Sequence, residues 1–188
     1  MSKQTVPLSG FTRLIHPMPA FLVTCAGADG RPNAIAIAWL TPVSINPPLL
    51  AFAIRPQRYS YELLQENPAF VVNALAYERA VEVLFCGRCS GRDVDKLATA
   101  GLTPVDAQTV NVPAIGEALA HVECEVEAEY PAGDHVIVVG RVVAASAEEG
   151  VLVEGRRDLV TAPPLLHLGG NCFTTSSGEV SEPDVGLD

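Results

Sequence analysis

The chain is short of charge and of aromatic rings: 18% of its residues are Asp, Glu, Lys or Arg and 6% are Phe, Trp or Tyr. Both shares lie below those of an average soluble domain, while the apolar share, 48%, is high. Such an excess implies that some apolar surface covers a subunit interface. Long apolar runs are missing as well. Ala34 to Leu40 and Val136 to Val139 stop far short of the roughly 20 residues a membrane span requires, so no membrane partner is expected. Positive charge is scarce: the formal net charge is -10 and the only lysines are Lys3 and Lys96. An acidic balance argues against nucleic acid, which selects basic surfaces. Met1 to Leu8 lack a basic stretch followed by an apolar one, which predicts a cytoplasmic location.

Several catalytic and nucleotide-binding signatures are absent too. There is no Gly-x-x-x-x-Gly-Lys-Ser/Thr loop and no Gly-x-Gly-x-x-Gly turn, which disfavours kinase chemistry and a dedicated dinucleotide domain. With four histidines (His16, His121, His135, His167) and no Gly-x-Ser-x-Gly elbow, a hydrolytic triad has no support. Five cysteines form no dense framework, and a reducing compartment would keep them as thiols.

What is present is β-rich. At 188 residues with no internal repeat or linker, one domain is expected, covering 1–188, with loose ends at about 1–10 and 174–188. Ala20 to Ala26 reads as a strand that turns through Gly27-Ala28-Asp29-Gly30 into Pro32 to Thr41. In that second run Ile35, Ile37 and Trp39 alternate with Ala34, Ala36 and Ala38. One face is therefore large and one small, and the small face admits a sheet, a helix or a flat ligand.

Leu49 to Arg55 and Phe70 to Leu75 read as buried strands around a helix from about Ser60, a candidate N-cap, to Asn67. Short helices are expected at Arg79 to Cys86 and Asp93 to Ala100, the latter stopped by Gly101. From Leu119 to Tyr130, Ala120, Val122, Cys124, Val126 and Ala128 alternate with His121, Glu123, Glu125, Glu127 and Glu129, predicting a core face and a water face. Pro131 to Asp134 turn this strand into a partner from His135 to Ala145. The fold class that follows is mainly β: an antiparallel barrel, closed or partly closed, with a few inserted helices.

Residues 86 to 96, CGRCSGRDVDK, gather Arg88, Arg92 and Lys96 beside Ser90 and Gly91. In so acidic a chain this cluster points to an anion, and a helix start after Ser90 and Gly91 would add free N–H groups and the positive end of the helix dipole. A solvated basic loop is the alternative. Arg58, Tyr59 and Ser60 repeat the pattern at a second helix start, and the two could converge on one phosphate. Trp39 to Ser44 offers backbone N–H groups and hydroxyls to the edge of a heterocycle, or is plain core with Trp39 filling the barrel. Asn73, polar in an apolar strand, needs either a ligand or a backbone partner if buried.

Cys86-x-x-Cys89 could be a redox pair, half of a metal site or two ordinary thiols. His121-x-x-Cys124 resembles the missing half, but positions three apart on a strand face opposite ways. No metal is expected.

Asn33 through Pro48 (NAIAIAWLTPVSINPP), RYS at 58–60, FVVN at 70–73, CGRCSGRDVDK at 86–96, DHVIVVGRV at 134–142 and LLHLGG at 165–170 resemble, in order and spacing, the flavin reductase-like FMN-binding split-barrel family that includes flavoredoxins. The resemblance implies an antiparallel split β-barrel of Greek-key type, usually a homodimer, with FMN near the subunit interface. It further implies that Trp39, Leu40, Thr41 and Ser44 lie along the isoalloxazine and ribityl chain. Arg58, Tyr59, Ser60, Ser90 and Lys96 would surround the phosphate, with Asn33 and Asn73 as supporting polar contacts.

The implied function is FMN-dependent oxidoreduction from NADH or NADPH to a free flavin, a ferric complex or a redox protein. A non-enzymatic FMN carrier or flavin-binding module is the alternative. His135 resembles a position facing the nicotinamide in some relatives. Leu97 stands where the family often has Phe, and Phe173 where it has Tyr.

Overall fold

A computed structural model describes residues 2–181. Its main body is one antiparallel sheet of seven strands: β1 (Phe21–Ala26), β2 (Pro32–Ile37), β3 (Leu40–Ser44), β4 (Leu49–Ile54), β5 (Ala69–Ala74), β6 (Ala120–Ala132) and β7 (His135–Ala147). Helix α1 (Tyr59–Glu66) joins β4 to β5, and α2 (Ala80–Arg88) and α3 (Lys96–Ala100) lie between β5 and β6. The spatial order is β2-β1-β5-β6-β7-β4-β3. The two edge strands, β2 and β3, are consecutive in sequence and separated only by Ala38 and Trp39. The sheet must curl until its edges meet there, which makes it an antiparallel barrel with a split.

This split corrects the expected single strand from Pro32 to Thr41. Residues 32–37 pair with β1, whereas Leu40 to Ser44 pair with β4, and alternation of side chains carries no information about a change of partner. Trp39 already belongs to the β3 side of the break, its carbonyl accepting from the Ala53 N–H of β4 at 3.0 Å. The hairpin β1–β2 closes through Gly30, whose N–H donates to the Gly27 carbonyl and whose φ of +76° suits glycine. The hairpin β6–β7 is the longest pairing, from His135↔Ala132 to Ala147↔Ala120, with irregularities at Val139/Gly140 and Val142/Ala144. At Gly140 the Phe70 ring lies where a β-carbon would stand, and that ring meets Phe52 edge-on at 5.1 Å.

The barrel interior holds Val23, Ile35, Ile37, Phe52, Ile54, Phe70, Cys124 and Val138, with Leu63 and Leu64 of α1 buried among them. The small face of β2 faces outward and receives helices: Ala34 packs with Val83, Cys86 and Leu97 of α2 and α3. Gly87 permits that approach, since a β-carbon there would come within 3.1 Å of the Ala36 β-carbon.

Three local expectations change. Ser60 does not cap α1; Arg58 is the N-cap residue and Ser60 is buried inside the first turn. The helix expected at Asp93 to Ala100 contracts to Lys96–Ala100, because the Asp95 carboxylate accepts from the Ala98 N–H at 3.0 Å and caps it there. Glu123 leaves the water face of β6: it is buried, and its carboxylate accepts the N–H groups of Gln108 (2.7 Å), Thr109 (2.7 Å) and Val110 (3.1 Å). A loop folded over that face converts a solvent position into an anchor. At the chain ends, Leu8–Ile15 form a 3-10 helix and Cys172–Thr174 pair with Leu166–Gly169; residues 2–7 and 175–181 carry no helix or strand, and Met1 and 182–188 lie outside the described residues.

Candidate functional site

Two chain segments remote in sequence build one pocket. In the first, the Arg58 N–H donates to the Arg55 carbonyl at 3.0 Å, and this turn starts α1 with Arg58 in extended conformation. The Tyr61 N–H already donates to the Arg58 carbonyl at 2.9 Å, so within the first turn the N–H groups of Tyr59 and Ser60 are the ones without an acceptor in the helix, at the positive end of its dipole. In the second, the Ser90 carbonyl accepts from Asp93 (3.1 Å) and Val94 (3.2 Å) while its hydroxyl accepts from the Arg92 N–H at 3.2 Å. This folds residues 90–94 into a tight turn before Lys96. The positive helix end expected at Ser90 and Gly91 is absent, because α3 begins later and carries its own carboxylate cap. At this pocket the dipole argument survives for α1 alone.

Asn33 of β2 joins the two segments. Its Nδ2 donates to Ser60 Oγ at 2.7 Å. On its other side a β-carbon at residue 91 would collide with Asn33 Oδ1 and stand 3.0 Å from Tyr59 Cδ1, so the buried Gly91 is required by close approach. Asn33 Oδ1 is buried without a hydrogen-bond partner, a costly condition for an amide oxygen. Arg92 clasps the same segments from outside, paired with Glu62 of α1 and lying 5.0 Å over the Tyr59 ring.

The pocket between them measures about 210 Å³ and is lined by Arg58, Tyr59, Ser60, Ser90, Gly91 and Lys96, together with Gln57, Cys86 and Cys89. Lys96 is buried, yet its ammonium donates to the carbonyls of Ala34 and Cys86, each at 2.8 Å. A lysine has three protons, which leaves one for the pocket. Burial lowers the Lys96 pKa from its ordinary 10.5, against which nearby thiols pull weakly upward. Burial also pushes the Cys86 thiol up to about 11, far from the values of reactive cysteines.

An open cleft continues the pocket along β2. It shares Ile35, Arg58 and Gly87 with the first and is walled by Ile35 to Trp39, Ala53, Ile54 and His135. Trp39 does not fill the barrel: it is 39% exposed and its ring lies 5.0 Å from that of His135, whose Nδ1 is 2.7 Å from the Asp134 carboxylate. Leu40 and Thr41 border a different, apolar face with Trp39, Val43 and Ile137. Ser44 ends β3 opposite Leu49.

Asn73 stands apart from the pocket, wholly buried, with Nδ2 within 3.0 Å of the Leu22 carbonyl, Thr24 Oγ1 and the Val71 carbonyl, and Oδ1 accepting from the Ile115 N–H at 2.8 Å. Between the two readings of Asn73, the backbone partner holds. Arg88, grouped by sequence with Arg92 and Lys96, lines a separate pocket beyond Gly87. His121 and Cys124 part as expected: His121 Nε2 lies 2.9 Å from the Ile115 carbonyl, whereas Cys124 lies in the barrel core, its thiol pushed up to about 12 by burial.

Sequence reasoning missed Gly87 and the Glu62–Arg92 pair. A glycine late in a helix was the available sign of the first; pairing between residues 30 apart leaves none.

The flavin reductase-like domain model matches residues 12–176. The chain belongs to the flavin reductase-like family. The chain is similar to an FMN-binding protein of Thermus thermophilus, solved with bound 1-cyclohex-2-enone: 31% identity, TM-score 0.84, 97% of this chain and 99% of that one. It is also similar to the flavoredoxin of Desulfovibrio vulgaris (Miyazaki F), with 25% identity, TM-score 0.88 and all of both chains covered. An NADH-dependent FAD reductase of Streptomyces globisporus is 30% identical over 151 residues, 78% of this chain and 81% of that protein.

Proposed function

We propose that this protein is an FMN-dependent oxidoreductase of the flavin or ferric reductase type, taking electrons from NADH or NADPH. The observation that carries the reading is the single pocket formed by Arg58–Ser60 and Ser90–Lys96, continuous with the cleft along β2. Its features suit a phosphate: free N–H groups at the start of α1, the spare proton of Lys96, the Ser60 and Ser90 hydroxyls, and Arg58 at the rim. Asn33, buried behind the pocket wall, holds the Ser60 hydroxyl in place at 2.7 Å.

FMN, when bound, supplies hydride chemistry at its ring N5. The chain's own residues position and shield. Lys96 and Arg58 would hold the phosphate, and Ile35 and Ile37 would wall the ring against water. Trp39 and His135, whose rings lie against each other at a 36° tilt, flank the open side, where a nicotinamide would approach. The Streptomyces relative, named for NADH dependence, supports that donor class.

The apolar face of Leu40, Val43 and Ile137, with Ile45 exposed at 89%, supports a homodimer in which β3, carrying Thr41 and Ser44, lies beside the cofactor of the pair. We place the whole chain, 1–188, in one cytoplasmic domain. The likeness to a flavoredoxin across all of both chains favours a second reading, an FMN electron carrier that exchanges with a reduced protein and oxidises nicotinamides poorly.

Anaerobic stopped-flow mixing of FMN-loaded protein with NADH and with NADPH tests the proposal. Bleaching of the flavin absorbance on a turnover timescale by one of them is expected. Protein that stays colourless after FMN is added would overturn it, and coloured protein that neither nicotinamide bleaches would select the carrier.

A further inference from the structure

Beyond Gly87 the cleft opens into a second pocket of about 340 Å³, which shares Ala36, Ile37, Ala38 and Gly87 with the first. Its volume sits at the small end of ligand sites, suited to a single ring. The walls are small and apolar, Ala20, Ala36, Ala38 and Val83 among them. Two flat side chains face one another at the side: the ring centroids of His167 and Phe173 are 5.3 Å apart, inclined by 48°. Arg88, at the exposed end of α2, is the one permanently charged side chain among the described residues lining it. Asn171 Oδ1 accepts from one arm of the Arg88 guanidinium and fixes it at the rim. The guanidinium has five N–H donors in a planar fork, and that fork matches a carboxylate.

We propose that this pocket binds a small monocyclic aromatic carboxylate, its ring against the alanine walls and Phe173, its carboxylate on Arg88. The inference rests on the flavin reading above only in placing that ligand beside the flavin cleft; the pocket and its charge stand without it. The chain carries a net charge of -10, so anions are repelled at long range and a fixed cation in an apolar pocket makes the selection locally. A neutral amide of the same shape gains the apolar contacts and one uncharged hydrogen bond from the fork, but neither the attraction between charges nor the second acceptor oxygen.

The test uses isosteric probes, benzoate and benzamide, titrated calorimetrically into FMN-loaded wild type, Arg88→Ala and Arg88→Lys, with FMN content read from visible absorbance in the same samples. Benzoate is expected to bind at least about tenfold more tightly than benzamide, the fold-change of one charge-assisted contact. Arg88→Ala should erase that preference, lowering benzoate affinity much more than benzamide affinity, with FMN content unchanged. Arg88→Lys should restore part of it, because charge returns without the fork. Equal affinities in wild type, no binding of either probe, or a benzoate preference that survives Arg88→Ala would each overturn the proposal. Samples that take up no FMN contradict the flavin reading instead, and the probe titration of those samples still decides the pocket.

Discussion

Asn33 Nδ2 donates to Ser60 Oγ at 2.7 Å, and the same amide turns its oxygen to the backbone at Gly91. One side chain thus sets the spacing between the start of α1 and the turn at residues 90–94, which are the two halves of the candidate phosphate pocket. A β-carbon at residue 91 has no room against Asn33 or Tyr59. Gly91→Ala is therefore expected to force the halves apart, lowering stability by about 1–3 kcal/mol and weakening FMN binding about tenfold or more. Urea denaturation and a flavin titration measure the two effects; unchanged FMN affinity would separate the turn from the site.

The pH dependence of FMN binding follows from Lys96. Its pKa lies below the ordinary 10.5 because burial disfavours the charged form. Deprotonation removes the positive charge, so FMN affinity should fall as pH rises, with the fall beginning below the range of an exposed lysine. Riboflavin, which lacks the phosphate, should show no such fall. Bound phosphate stabilises the ammonium, so protons should be taken up on FMN binding at alkaline pH, which calorimetry in buffers of different ionisation enthalpy detects.

Thiol labelling should follow burial. Cys172 is exposed and Cys89 half-buried, whereas Cys25, Cys86 and Cys124 are buried, with thiols pushed up to about 11, 11 and 12. Mass spectrometry after brief alkylation near pH 8 should find Cys172 modified first and the three buried thiols only after unfolding. FMN should protect Cys89, which lines the phosphate pocket, and leave Cys172 unprotected.

Glu123 offers a contrast between fold and site. Its buried carboxylate holds three backbone N–H groups, and Glu123→Ala leaves them without an acceptor. A loss of about 1–3 kcal/mol in stability is expected, read from urea denaturation, with FMN affinity unchanged.

How much of this was legible depends on the range of the interaction. The hairpins β1–β2 and β6–β7 announce themselves through alternation and turn residues, which are local. Arg58, Tyr59, Ser60, Ser90 and Lys96 were legible as chemistry, and the structure brings all five to one pocket. The roles within it were less so. Ser60 matches the N-cap preference, but Asn33 holds its hydroxyl inside the fold and Arg58 takes the cap. Glu123 follows the polar phase of β6, and only the loop at 108–110 makes that phase buried. The break at Ala38 and Trp39 arises from barrel closure, a property of the whole sheet that no window of residues contains.

The central claim, that Arg58–Ser60 and Ser90–Lys96 hold the phosphate of FMN, is tested most directly by paired titrations of FMN and riboflavin into wild type and Lys96→Ala. The quenching of Trp39, the chain's one tryptophan, provides the signal. Wild type is predicted to prefer FMN by at least about tenfold, as a charge-assisted phosphate contact implies. In Lys96→Ala that ratio should collapse toward one, through loss of FMN affinity with riboflavin affinity retained. Equal affinities in wild type, or a preference for FMN undiminished in Lys96→Ala, would contradict the account.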